Sequence, residues 1–110
     1  MEHMRPDQMA KLIRVSKRTV YRMLQEGVLD EGLLRGRMVV KVPLELQKLI
    51  QVNDRLLRPA EVAAIMQASR SSVYRWFHED EIDGIMIGET LRLFESAVAD
   101  FVKRRTNVQE

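Results

Sequence analysis

An internal repeat restricts the fold of this 110-residue chain more than any other feature. Shifting the sequence by 53 residues aligns the segment from Arg5 to Asp30 with the segment from Arg58 to Asp83, and nine aligned positions are identical. Because such self-similarity marks a repeated structural unit, we expect two copies of one module. These would be residues 1–53 and residues 54–110, connected by a short linker at residues 53–55.

The start of each copy predicts two short helices separated by a turn. Pro6 and Pro59 suit the first position of a helix, where no backbone N–H is needed. Ser16 and Ser69 supply the side-chain oxygen that caps a second helix. About three residues separate the two predicted helices, which is the spacing of a helix-turn-helix. Apolar residues at helical spacing predict the inward face of the first helix as Met9, Leu12 and Ile13, repeated as Val62, Ile65 and Met66.

After the second helix the sequence pattern changes to one typical of strands. Residues 33–42 contain two apolar runs around Arg35-Gly36-Arg37, which predicts a β-hairpin, and residues 85–93 repeat this pattern around Gly88. Each copy closes with a third predicted helix, at about residues 43–52 and 95–105. The predicted fold class is mainly α with small β-hairpin wings, as two tandem winged helix-turn-helix modules.

The second predicted helix of each copy divides its side chains into an apolar arc and a polar arc, because successive residues are 100° apart. The apolar arc is expected to pack on the first helix, and the polar arc to face outward. We call the polar arcs the first outward arc, which consists of Lys17, Arg18, Tyr21, Arg22 and Gln25, and the second outward arc, which consists of Arg70, Ser71, Tyr74, Arg75 and His78.

These side chains are suited to double-stranded DNA, which is the predicted partner. Arg and Lys bond guanine edges or phosphates, and Gln pairs with adenine. The positive end of the helix dipole also favours phosphate. The hairpin cations Arg35, Arg37 and Lys41 would then rest on the neighbouring DNA backbone. His78 takes the place of Gln25 in the second copy and is a weaker candidate for a DNA contact.

The two copies share a central motif, Ser-x-x-Thr/Ser-Val-Tyr-Arg, within the runs Ala10–Leu24 and Ala63–Phe77. With this motif they resemble excisionase-type and MerR-like winged helix-turn-helix domains. The resemblance covers nearly the whole chain in two copies. It implies a recognition helix in the major groove and a wing on the adjacent minor groove or backbone. By position, these roles would fall on Lys17, Arg18, Tyr21 and Arg22, and on Arg35 and Arg37.

The chain also departs from those domains. Arg14 and Gln67 replace the glycine that is usual in the turn between the two helices. If this position needs a positive φ, each replacement costs ~1 kcal/mol. The long dimerisation helix and the effector domain of MerR proteins are not apparent, so effector sensing is not expected.

The two copies differ in charge. Residues 1–53 carry 10 Lys and Arg against 6 Asp and Glu, whereas residues 54–110 carry 8 against 10. The second predicted hairpin has Glu89 at its turn, and the acidic run Glu79 to Glu81 follows the second outward arc. Because carboxylates repel phosphates, we expect the first module to supply most of the DNA affinity. The alternative function is a protein-interaction adaptor or antirepressor, with the second module as the partner surface.

Other residue types exclude several function classes. The chain has no cysteine, which excludes disulfides and Cys-ligated zinc. It shows no catalytic Ser/His/Asp set and no phosphate-binding glycine loop, so we expect no enzyme and no cofactor. The run from His78 to Asp83 lacks a metal-binding spacing and is interpreted as a solvated acidic turn.

Two further features bear on location and packing. No apolar stretch reaches the ~18 residues of a membrane span, and no signal peptide is visible, so a cytoplasmic protein is expected.

Trp76 aligns with Met23 on the apolar arc and is predicted to lie in the core. Lys103, Arg104 and Arg105 are interpreted as a solvated helix end, with phosphate contact as the alternative.

Overall fold

The computed structural model describes residues 2–107, with side chains to residue 106, and it divides between Asn53 and Asp54 into two compact units. Each unit contains three helices and three short strands. The elements of unit 1 are β1 (His3–Met4), α1 (Pro6–Ile13), α2 (Lys17–Gln25), β2 (Glu31–Leu34), β3 (Arg37–Lys41) and α3 (Leu44–Gln51). The elements of unit 2 are β4 (Leu56–Leu57), α4 (Pro59–Met66), α5 (Arg70–His78), β5 (Gly84–Ile87), β6 (Thr90–Phe94) and α6 (Glu95–Asn107). Of these helices, none within residues 2–107 combines the length and apolar character that a membrane crossing requires.

Both sheets are antiparallel and have the order β1-β3-β2 in unit 1 and β4-β6-β5 in unit 2. The two predicted hairpins are confirmed, and each has a two-residue turn. In unit 1 the turn residues Arg35 and Gly36 both have positive φ (54° and 77°), as a type I′ hairpin turn requires. The outer strands β1 and β4 were not predicted, because two residues are too few to show an alternating pattern. They make β3 and β6 the central strands.

The first helix of each unit begins where the prolines predict. Pro6 and Pro59 take the first helical positions of α1 and α4. The Gln8 Oε1 accepts a hydrogen bond from the Arg5 N–H at 3.0 Å, and Glu61 makes the same bond at 2.8 Å in unit 2. These bonds satisfy a backbone donor that the helix itself leaves without a partner.

The second helices have the predicted serine caps. The Ser16 Oγ accepts from the Thr19 N–H at 3.1 Å, and the Ser69 Oγ accepts from the Ser72 N–H at 3.2 Å. After α2 the chain turns away at Gly27, whose φ is 74°. A glycine in this conformation is a common helix terminator, because it carries no Cβ.

The inward face of the first helices differs from the prediction at one position. Ile65 is 53% exposed, so its assignment to the buried stripe was wrong, and the aligned Leu12 is only half-buried. The buried arc instead runs through Val62 and Ala63, and the alanine is 6% exposed like Ala10 in unit 1. Ile65 lies two residues after Ala63 and therefore about 200° around the helix from it, so the face that buries Ala63 leaves Ile65 toward solvent.

Trp76 lies in the core of unit 2, as predicted. It is 7% exposed, and its ring centroid lies 4.9 Å from that of Phe101 on α6. The Arg105 guanidinium lies 4.7 Å from the Phe101 ring centroid, and the Arg104 Nη2 donates to the Glu81 carbonyl at 2.7 Å. Both arginine side chains are exposed, so they make these contacts within unit 2 from a solvated helix end.

Asp54 and Arg55 of the predicted linker are held within unit 2 by contacts with residues at the start of α6. The Asp54 carboxylate accepts hydrogen bonds from the Ser96 N–H at 3.1 Å and from the Ser96 hydroxyl. Arg55 forms an ion pair with Glu95 at 3.2 Å. Burial alone would raise the pKa of the Asp54 carboxyl, but the hydrogen bonds from Ser96 and from the Arg55 N–H hold this pKa below its usual value.

The turn between the two helices is left-handed in both units. Arg14 has φ 61° and ψ 51°, and Gln67 has φ 52° and ψ 47°. Residues other than glycine are strained in this left-handed backbone conformation, because their Cβ approaches the following carbonyl oxygen. The condition on which the strain at these two positions depends, a positive φ, is therefore met.

Replacing Gln67 with glycine should therefore stabilise unit 2. We expect Gln67→Gly to raise the free energy of unfolding by about 1 kcal/mol, because glycine adopts this conformation without strain. Trp76 is the single tryptophan of the chain, so its fluorescence during urea unfolding reports on this unit. The control is Ala64→Gly, at an exposed position within α4, which should lower stability by about 1 kcal/mol. A loss of stability in both variants would contradict the strain argument.

The hydrogen bonds of Asp54 should make unit 2 sensitive to acid. Because the pKa of Asp54 is lower in the folded state, its contribution is present above the unfolded pKa of about 3.9 and is lost as the pH falls through the folded value. We therefore expect Asp54→Asn to destabilise unit 2 at about pH 7 and to differ less from the wild type at about pH 3. Urea unfolding at the two pH values measures this, with Asp100→Asn on α6 as the charge-matched control. An equal difference at both pH values would contradict it.

Candidate nucleic-acid interface

All five side chains of the first outward arc are exposed on α2. Tyr21 is 41% exposed, whereas Val20 and Met23 on the opposite side of the same helix are buried. The division follows from the 3.6-residue period of the helix, because the apolar arc packs into unit 1. The Ser16 cap fixes where α2 begins, so Lys17 and Arg18 lie in its first turn. The arc therefore presents cations and hydrogen-bonding groups on one continuous face.

A groove of about 760 Å³ brings α2 together with the hairpin of unit 1. Lys17 and Tyr21 line it from the helix, and Arg35 and Arg37 line it from the hairpin. The start of α1 forms a third wall that contains Arg5, which was not among the predicted DNA contacts. The remaining lining residues are Pro6, Asp7, Leu34, Met38 and Val39.

Arg5 was missed because a lone arginine before a proline carries no signal of its own. Its Nε lies 3.3 Å from the Asp7 Oδ1, and the two side chains are 66% and 46% exposed. An exposed pair of this kind contributes little to stability, so the arginine can be drawn to another anion. Its position in the groove adds a cation to those that the sequence placed on α2 and the hairpin.

Other predicted residues lie outside this groove. Arg18, Arg22 and Gln25 are exposed on α2 but do not line the groove. Lys41 pairs with His3 at the far end of β3. It lies four residues from Arg37, which corresponds to about 13 Å along a strand. The structure therefore does not bring Lys41 together with the arginines of the hairpin turn.

In unit 2 all five residues of the second outward arc are exposed on α5. The Ser69 cap and the buried Val73 and Trp76 fix the orientation of this helix as in unit 1. Tyr74 is 37% exposed, close to the value for its counterpart Tyr21. The repeat in sequence is thus also a repeat in the local structure of the two helices.

The two hairpins present different chemistry. Where unit 1 has Arg35 and Arg37, unit 2 has Gly88 and Thr90, and the exposed Glu89 lies between them. Arg92 on β6 is only 9% exposed, and its Nη1 donates to the Leu91 carbonyl at 2.7 Å. The hairpin of unit 2 therefore presents a carboxylate where that of unit 1 presents guanidinium groups.

The residues that follow α5 form an acidic surface. A groove of about 510 Å³ is lined by four carboxylates, those of Asp80, Glu81, Asp83 and Asp100, together with Ala97, Lys103 and Arg104. The His78 side chain beside this run is exposed. Among residues 2–107, no three His, Asp or Glu side chains are grouped closely enough to hold a metal ion.

An arginine–glutamate pair occurs at the end of both outward arcs, and sequence reasoning did not identify it. The Arg22 Nε lies 3.9 Å from the Glu26 Oε1, and the Arg75 Nε lies 3.9 Å from the Glu79 Oε1. All four side chains are more than half exposed. The four-residue spacing was visible in the sequence, since both glutamates are among the nine repeated positions.

Residues 56–106 match the protein family described as helix-turn-helix domain, and this match lies within unit 2. The chain is also 38% identical over 53 residues to candidate DNA-binding proteins of Mycobacterium tuberculosis strains H37Rv and CDC 1551. This alignment covers 48% of the chain and 68% of each relative. No solved structure is significantly similar to the chain. The family match and the identity to these relatives together show that the chain belongs to the helix-turn-helix domain family.

Proposed function

We propose that this protein binds double-stranded DNA in a sequence-specific manner through tandem winged helix-turn-helix modules. In this proposal α2 enters the major groove, and the hairpin of unit 1 acts as a wing on the adjacent backbone or minor groove. The observation that carries the proposal is the shared groove of unit 1, where Lys17 and Tyr21 of the helix face Arg35 and Arg37 of the hairpin.

The dimensions and chemistry of α2 support this assignment. The major groove of B-DNA is about 12 Å wide, which admits one α-helix with its side chains. Arg18 and Arg22 lie on the exposed arc, where a guanidinium can bond the O6 and N7 atoms of guanine. In this proposal Lys17, Arg35 and Arg37, which line one groove, contact phosphates. Such contacts fix the register of the helix without reading sequence.

Unit 2 is proposed as a second, weaker DNA reader. It carries the family match, and its exposed Arg70, Tyr74 and Arg75 repeat the arrangement of unit 1. The names of the two mycobacterial relatives also favour DNA as the ligand. Two weak readers in one chain act together, because binding of one raises the local concentration of the other.

The biological outcome is proposed as transcriptional regulation or excisionase-like DNA architecture in the cytoplasm. Both roles begin with the same physical act of duplex binding. They differ in whether the bound DNA is bent, because an architectural factor deforms the DNA to bring distant sites together. A bend measured on the cognate duplex would favour the architectural role.

A second candidate is a protein-interaction adaptor that uses unit 2 as its partner surface. The acidic groove lined by Asp80, Glu81, Asp83 and Asp100 favours this alternative, because clustered carboxylates repel phosphates and attract a basic protein. The alternative applies to unit 2 alone and is compatible with DNA binding by unit 1.

Binding to duplex DNA should weaken steeply with salt. About six phosphate contacts release about as many counterions, so we expect the affinity to fall about 10³-fold between about 50 and about 200 mM salt. Fluorescence anisotropy with a duplex enriched by random selection measures this dependence. If the wild type bound no duplex at low salt, and instead formed a salt-insensitive complex with a protein, the adaptor function would be favoured.

The two units should contribute unequally to affinity. We expect the double variant Arg18→Ala/Arg22→Ala to weaken duplex binding by about 100-fold or more, because the guanine contacts proposed for both arginines of α2 are lost together with two positive charges. Arg70→Ala/Arg75→Ala should cost about tenfold or less, since the hairpin of unit 2 adds Glu89 instead of cations.

The control is Lys11→Ala/Lys48→Ala, which removes the same charge from exposed positions on α1 and α3. Anisotropy titrations at one salt concentration compare the three variants, and circular dichroism verifies that each is folded. Equal losses in the two arginine variants would contradict the proposed asymmetry.

A further inference from the structure

Leu34 is an exposed apolar residue in the groove that α2 shares with the hairpin of unit 1. It is 52% exposed, and it lines the groove together with Lys17 and Tyr21 of α2. At the aligned position of unit 2, Ile87 is only 4% exposed. The same strand position therefore holds a core residue in unit 2 and a solvent-facing residue in unit 1.

Exposure alone does not distinguish Leu34, because single apolar side chains are common on protein surfaces. Leu33 is 79% exposed, yet it does not line the groove. Successive residues of a strand point to opposite faces of the sheet, which separates these two leucines. The groove, and not exposure, is what marks Leu34 as a candidate contact.

Two arginines flank Leu34 on the hairpin. Arg35 follows it directly at the turn, and Arg37 is its partner across the β2–β3 pair. Directly paired residues point to the same face of a sheet, with Cβ atoms about 5 Å apart. Both arginines line the groove with Leu34. The hairpin of unit 1 therefore presents an apolar side chain between two cations.

A DNA strand has the complementary pattern. Each deoxyribose presents apolar C–H groups, and a phosphate lies on either side of it along the strand. We propose that Leu34 packs against a deoxyribose of the bound duplex, while Arg35 and Arg37 bond the flanking phosphates. This inference rests on the proposed DNA binding and adds an apolar contact to it.

The proposed contact differs from those of the arginines in its dependence on salt. Phosphate contacts weaken as salt rises, because they release counterions. Burial of apolar surface releases none, so Leu34 contributes affinity that salt does not screen. The hairpin of unit 2 lacks this combination, since Ile87 is buried and its partner across the β5–β6 pair is Thr90.

The test is Leu34→Ala, titrated by anisotropy with the duplex selected by the wild type, between about 50 and about 200 mM salt. We expect the affinity to fall about threefold to tenfold at every salt concentration, because about half of the leucine remains to be buried on binding. The slope of log affinity against log salt should keep its wild-type value, since no charge is removed. Leu34→Met keeps the apolar surface and should bind within about twofold of the wild type.

The matched control is Leu33→Ala, which removes the same side chain from the neighbouring position outside the groove and should leave the affinity unchanged. Arg37→Ala should instead lower the salt slope by about one, as the loss of one phosphate contact does. Circular dichroism verifies that each variant is folded.

Two results would overturn the inference while the proposed function stands. In the first, the wild type binds the duplex, and Leu34→Ala binds it as tightly as Leu33→Ala does. In the second, Leu34→Ala lowers the salt slope as Arg37→Ala does, because Leu34 would then only position the arginines. If the wild type bound no duplex, the proposed function would fail and this inference with it.

Discussion

The packing of α1 on α2 determines which side chains the first unit presents to solvent. Val20 and Met23 are buried on one side of α2, and this burial leaves Lys17, Arg18 and Arg22 on the other side. The contact depends on a left-handed residue at the turn, which allows two short helices to fold back on each other within a few residues. The strain of that residue is tolerated because the buried apolar surface on both helices outweighs it. Unit 2 repeats the arrangement with Val73 and Trp76.

The sequence predicted the parts of the fold that leave a local pattern. The serine caps and the prolines at helix starts each depend on a few neighbouring residues, and both predictions are confirmed. The outer strands were missed because pairing with β3 and β6 is a long-range event. The exposure of Ile65 was missed because helical period predicts which residues share a face but not which of two neighbouring faces is buried. In α4 the buried face contains Val62 and Ala63.

The candidate interface was also predictable only in part. The exposed face of α2 could be predicted from the helical period, because the residues that share this face lie within one or two helical turns of one another. The groove that it shares with the hairpin depends on how a strand pair folds onto a helix, and this includes Arg5 from a third element. Similarly, Asp54 was assigned to a linker because its partner Ser96 lies 42 residues away. Contacts at such separations carry no periodic signal.

Formal charge is a poor measure of what each unit offers to an anion. Unit 2 has eight Lys and Arg residues, but Arg92 is buried in the sheet, and Arg104 and Arg105 are bound within the unit, to a backbone carbonyl and to aromatic rings. These interactions hold α6 against the core around Trp76, so Arg104 and Arg105 stabilise the fold while their side chains remain exposed. In unit 1 the hairpin arginines lie at a turn that contributes nothing to the core, and both remain exposed. The two copies therefore have arginine in different places on a repeated arrangement of helices and strands, and this changes the charge that each hairpin presents to solvent.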